Sequence, residues 1–179
     1  MGFAMLVGKK VHLVPLEVDK HLDHIMEHFN DTEMRLFLGG YIPVTRNAER
    51  EWIEATEEKM KKRVEFTFAI EKLPEEEMVG SCGLHDIDWF SRSCTLGIAL
   101  YPKKNWEQGF GTETLQLLID FGWAHLNLRR IELGVHSHNP RAMHVYEKLG
   151  FKLYGTAHQK YYIGGKYADT HYMELFKEQ

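Results

Sequence analysis

Gln108-Gly109-Phe110-Gly111-Thr112 is the stretch on which the reading of the fold turns. Ahead of it a strand ends in Leu100-Tyr101-Pro102, and after it Leu115, Leu118, Ile119, Gly122 and Leu126 recur at helical spacing. Glycine lets a backbone pass close to a ligand without side-chain obstruction. The first turn of a helix carries unbonded N–H groups at the positive end of its dipole, so a glycine loop feeding that turn suits a pyrophosphate. The same residues also serve a plain tight turn from strand to helix. Two other phosphate sites are disfavoured: no Gly-Lys-Ser/Thr follows, as a P-loop needs, and a dinucleotide fingerprint would want a third glycine and an earlier place in the chain.

Upstream, Val11–Leu16 alternates weakly like an opening strand, and Leu22, Ile25, Met26 and Phe29 follow helical spacing. Residues 39–44 break that helix; Thr45 caps another, whose inner face reads as Ala48, Trp52, Ala55, Thr56 and Met60. Strands are predicted at 66–70, 78–87 and 94–101, with a charged turn at 73–77 and a short loop at 88–93. Downstream, 131–136 is a strand, and Ala142, Val145, Tyr146 and Leu149 mark a short helix closed by Gly150. Strands near 151–161 and 167–176 close the chain as a hairpin around Gly164-Gly165. No repeat or linker interrupts this order, which reads as one α/β domain over 8–179 behind a short extension, 1–7.

The composition excludes several classes. Of 179 residues, 44% are hydrophobic and 27% charged, a globular balance with a net charge of −4. No basic stripe stands out, so a nucleic-acid partner is not expected, whereas mild acidity is compatible with a cationic substrate. The two cysteines, Cys82 and Cys94, read as reduced thiols rather than a disulfide framework. The opening apolar run is too short for a signal peptide, and no run reaches membrane-spanning length. A cytoplasmic location is the expectation. His21, His24 and His28 lie together on the first helix, opposite Leu22, Ile25 and Phe29, and read as a solvated face; no metal is assigned.

One helix and one strand after the glycine loop comes Asn139-Pro140-Arg141-Ala142-Met143-His144-Val145-Tyr146-Glu147-Lys148-Leu149-Gly150-Phe151. This run resembles the N-x-x-A-x-x-x-Y-E-K-x-G-F signature of the GNAT family of N-acetyltransferases, and the glycine loop is similar to that family's acetyl-CoA motif. Trp106 to Glu113 and Tyr162 to Asp169 most resemble the branch holding ribosomal-protein alanine acetyltransferases and spermidine acetyltransferases. The resemblance implies a central mixed, mostly antiparallel sheet of about seven strands with helices on both faces. It implies acetyl-CoA as co-substrate and an amine acceptor, either a protein N-terminus or a small polyamine; a homodimer is an admissible assembly. A non-catalytic acetyl-CoA-binding sensor is the rival reading.

The resemblance also distributes the work. The backbone N–H groups of Gln108, Gly109, Phe110, Gly111 and Thr112 would hold the pyrophosphate. The strand edge at Ile98, Ala99 and Leu100, with Asn139 and Ala142, would align the pantetheine arm. A main-chain N–H near Leu100 would receive the oxyanion, an interaction worth ~3–4 kcal/mol when well aimed. Tyr146 would protonate the leaving thiolate, although by its spacing alone it belongs to the apolar stripe of its helix. Asn139 before Pro140 also reads as a helix N-cap. Some relatives carry a Glu five residues before that Asn; here Gly134 stands there. The base that takes the proton from the amine is therefore open among His136, His138, His85, Asp86 and ordered water.

Overall fold

Alternation in the second strand divides the molecule into two layers. Phe66, Phe68 and Ile70 point to one side of the sheet and Ala69 to the other, and both sides are buried. The computed structural model describes residues 6–38 and 42–178. Its elements run β1 (Val11–Pro15), α1 (Val18–His28), α2 (Thr32–Leu38), α3 (Arg46–Lys61), β2 (Phe66–Lys72), β3 (Glu77–Asp88) and β4 (Ser93–Leu100). They continue with α4 (Phe110–Ala124), β5 (Arg130–His136), α5 (Pro140–Lys148), β6 (Lys152–Ile163) and β7 (Lys166–Phe176). The seven strands form one sheet in the order β1-β2-β3-β4-β5-β7-β6, and β4–β5 is its parallel pair. The sheet is thus mixed and mostly antiparallel, with α4 and α5 packed on one face and α1 to α3 on the other.

Local chemistry explains most element ends. The Thr45 hydroxyl accepts from the Ala48 N–H at 3.2 Å to open α3, and the Asn139 carboxamide oxygen accepts from the Ala142 N–H at 3.1 Å to open α5. Gly150 stops α5 at φ +92°, and Gly164 and Gly165, at +58° and +82°, make the turn between β6 and β7.

Four readings of the sequence change. Between the first helix and the break at 39–44 lies a further helix, α2, too short to register as periodicity; residues 39–41 of that break lie outside the described residues. The buried stripe of α3 is Glu49, Ile53 and Thr56; of the expected inner face Thr56 is buried and Trp52, Ala55 and Met60 are half-buried, while Ala48 is exposed. Leu6, assigned to an extension ahead of the domain, is packed into the core beside the α4 layer. The α1 histidines do not form a solvated face: His21 is 1% exposed. Its Nδ1 accepts from the Glu17 N–H at 2.8 Å, which leaves the proton on Nε2 to be donated to Glu71 Oε1 at 3.0 Å. His24 stacks on Tyr101, with ring centroids 5.9 Å apart, and its pKa is lowered by burial and by His28. Among the described residues no helix is long and apolar enough to cross a membrane.

Candidate active site

The decisive feature is where β4 and β5 stop pairing. They meet only at Ser93, Cys94 and Thr95 against Arg130, Ile131 and Glu132. Beyond these, β4 stays with β3 as far as Leu100, and β5 stays with β7 as far as His136. A gap therefore opens between Leu96–Leu100 and Leu133–His136. Amides along a strand alternate between its two edges. The Tyr101 N–H donates to the Val79 carbonyl at 2.9 Å, so Ala99 shares that orientation toward β3, while Ile98 and Leu100 face the gap. The Leu100 carbonyl, on the gap side, accepts from Trp106 Nε1 at 2.7 Å. Of the predicted strand edge, Ile98 and Leu100 thus present their main chain to the gap and Ala99 presents its own to β3.

The glycine loop closes one end of the gap. Gly109 is the N-cap of α4 at φ +86°, a left-handed conformation that a side chain would strain. A Cβ there would lie 3.0 Å from Lys10 Nζ, which donates to the Gln108 carbonyl at 2.8 Å. A Cβ on Gly111 would lie 3.1 Å from Leu100 Cδ1, so the loop is held tight against β4. The first intrahelical bond of α4 runs from the Glu113 N–H to the Gly109 carbonyl at 3.1 Å. The N–H groups of Gly109, Phe110, Gly111 and Thr112 precede it and have no partner within the helix. Gly109, Gly111 and Thr112 line the cleft; the Phe110 side chain is buried in the core, and the Gln108 side-chain NH₂ donates to the Lys104 carbonyl.

Sequence reasoning passed over the function of Glu113. Its carboxylate accepts from the N–H groups of Lys9, Lys10 and Val11 at 2.8, 2.7 and 3.0 Å, pinning β1 to the first turn of α4. Trp106 is likewise structural as well as lining: besides its bond to Leu100, its indole carries the Arg141 guanidinium at 3.6 Å and meets Phe37 edge-on at 5.8 Å.

The gap belongs to one continuous cleft of about 1200 Å³ that crosses the sheet. On the α4–α5 side it is lined by Asn139, Ala142 and Tyr146, so the predicted site residues of α5 do meet the glycine loop and β4. Tyr146 is 8% exposed, and burial pushes its phenol up to about 12. At neutral pH it holds its proton. His136, at the end of β5, also lines the cleft. Burial, His138 and Lys160 lower its pKa, and its buried Nδ1 has no hydrogen-bond partner. His138 is engaged elsewhere: its ring donates to the Leu36 carbonyl at 2.9 Å and stacks on Phe37. His85 and Asp86 line the opposite wall, with His85 Nδ1 3.4 Å from Glu65. The α1–α3 side adds Phe29, Met34, Arg35, Glu49 and Trp52, none of them predicted as site residues. Glu49 and Ile53 join the inner face of α3 beside the expected Trp52 and Thr56, a matter decided by tertiary packing.

Comparisons with known proteins agree with this geometry. A family model described as "Acetyltransferase (GNAT) domain" matches residues 10–152. A relative from Bacillus subtilis, the "Probable N-acetyltransferase YjcK", is 29% identical over 92% of this chain and 93% of its own length. The "Spermidine N(1)-acetyltransferase" of Vibrio cholerae is 29% identical over 59% of this chain, the alignment spanning 60% of that protein. A crystal structure of spermidine N-acetyltransferase from Vibrio cholerae in complex with CoA and spermine superposes with a TM-score of 0.83. It covers 94% of this chain and 96% of that one at 24% identity, which speaks to the fold. With the parted strands, the glycine loop and the family model in agreement, the chain belongs to the GNAT family of acetyltransferases.

Proposed function

We propose that this GNAT protein moves the acetyl group of acetyl-CoA directly onto a primary amine, and that the acceptor is a polyamine of the spermidine type. The observation that carries the reading is the gap between β4 and β5, bounded by unbonded amides at Gly109–Thr112 on one side and Tyr146 on the other. Unbonded N–H groups at a helix start suit a diphosphate, and the Lys10 ammonium beside them adds positive charge. The free edge of β4 at Ile98 and Leu100 offers main-chain groups to the amide-bearing pantetheine arm, as an added strand would be met. Asn139 spends its carboxamide oxygen on the α5 cap and keeps its NH₂ as a donor toward the cleft.

In the transfer the amine nitrogen attacks the thioester carbon, the carbonyl oxygen becomes an oxyanion, and the carbon–sulfur bond then breaks. The Leu100 N–H faces the gap and is the donor proposed for the oxyanion. Tyr146 supplies the proton that the departing sulfur takes up, and its raised pKa keeps that proton available until the thiolate forms. The attacking nitrogen gives up its own proton to His136, whose lowered pKa favours the neutral ring. Support for the acceptor class comes from the relatives' names and from the carboxyl groups of Glu49 and Asp86 on the acceptor wall.

The test is release of free thiol from acetyl-CoA across spermidine, spermine, aminoglycosides and short peptides of differing first residue. Saturable release with the polyamines supports the reading. Turnover confined to peptides would replace the acceptor, and tight CoA binding without release from any amine would favour a binding module.

A further inference from the structure

Of the carboxylates that line the cleft, Glu49 is the buried one. It sits on the inner face of α3, is 6% exposed, and lines the acceptor side between α2 and the sheet. Among the described residues its carboxylate makes no hydrogen bond and no ion pair, and its oxygens stay open to the cleft. The one cation acting on it is Arg35 of α2, yet burial outweighs that attraction and raises its pKa. Arg35 is only partly committed elsewhere: Nη2 donates to the Ile42 carbonyl at 2.8 Å and the guanidinium lies 5.1 Å from the centre of the Phe29 ring, while its buried Nε has no hydrogen-bond partner. A buried carboxylate without a partner is costly unless a cation comes to it. The surrounding wall is apolar, formed by Phe29, Met34 and Trp52, which suits methylene groups between charges.

We infer that Glu49 seats a second positive charge of the acceptor, an ammonium carried along an aliphatic chain from the amine that reacts. The inference rests on the proposed acetyl transfer for its context, but it concerns recognition and is decided by binding. Glu49 acts as a specificity residue: it touches the end of the acceptor that does not react. A monoamine of the same length fills the apolar wall and leaves the carboxylate unpaired, so the site rejects it.

The experiment compares 1,8-diaminooctane with n-octylamine, which differ only in the distal ammonium. Calorimetric titration of the protein saturated with CoA should show the diamine binding at least about tenfold more tightly. Glu49→Gln should remove most of that preference by weakening the diamine, with octylamine and CoA affinities held within about twofold. Glu49→Asp should recover part of the preference. Arg35→Gln, which removes the competing cation and leaves Glu49 in place, should enlarge it. An unchanged diamine-to-monoamine ratio in Glu49→Gln, or equal affinities in the parent protein, would overturn the inference. If Glu49→Gln did not fold, a preference in Arg35→Gln no larger than in the parent would overturn it equally. Thiol release measured on the same samples judges the acetyl-transfer reading separately, since a protein that binds the diamine through Glu49 yet releases no thiol fails that reading alone.

Discussion

Tyr146 stands both in the packing of its helix and on the wall of the cleft. Its ring packs edge-on against Phe151, with centroids 5.9 Å apart, while the residue lines the cleft. Removing only the hydroxyl should therefore spare the packing: Tyr146→Phe is expected to lower kcat by about 10²-fold, with CoA affinity and melting temperature unchanged. Thiol-release kinetics and a thermal melt check it. The pH dependence follows from two shifts of opposite consequence. His136 must be neutral to accept a proton, and its pKa is lowered from the ordinary 6.5, so kcat should rise with pH through a midpoint below 6.5 and then level. Tyr146 must be protonated, and its phenol is pushed up to about 12, so no falling limb is expected short of that pH. A kcat–pH profile for the parent and for His136→Gln, which should lose the rising limb, measures both.

At the scale of elements, the turn from β4 into α4 joins binding to stability through separable residues. Gly109 needs its left-handed φ and has Lys10 at its would-be Cβ, so Gly109→Val should weaken CoA binding at least tenfold while costing about 1–2 kcal/mol of stability. Glu113 holds the entrance of β1 by bonds to successive N–H groups. Glu113→Ala leaves those donors without their carboxylate and should cost about 1–3 kcal/mol, a fall of about 2–10 °C in melting temperature for a chain of this size. CoA titration and calorimetric melting distinguish the two effects. Gly109 was legible in the sequence because a left-handed turn before a helix leaves a local trace, whereas the fit of Gly111 against Leu100 is a tertiary contact. The role of Glu113 was not, since its partners lie about a hundred residues away in the chain.

On the scale of the whole molecule, the two layers are locked by polar bonds that cross from helix to sheet. His21 of α1 donates to Glu71 of β2, which also pairs with Lys20 at 2.6 Å. His21→Leu would leave Glu71 with a single partner and the Glu17 N–H with none, and is expected to cost about 2–4 kcal/mol. Chemical denaturation should show it, with acetyl transfer at low temperature retained. The sequence by itself determined what short-range chemistry dictates: strand and helix periods, the Thr45 and Asn139 caps, the glycine turns, and the two ordered motifs that mark the family. Tertiary structure alone decided where β4 parts from β5, that Glu49 joins the inner face of α3, and that His21 of α1 is buried and His24 and His28 half-buried rather than solvated. Those outcomes depend on partners contributed by distant segments. A strand's period does not say where its neighbour leaves it, and a polar residue on a helix is buried or solvated according to what packs over it.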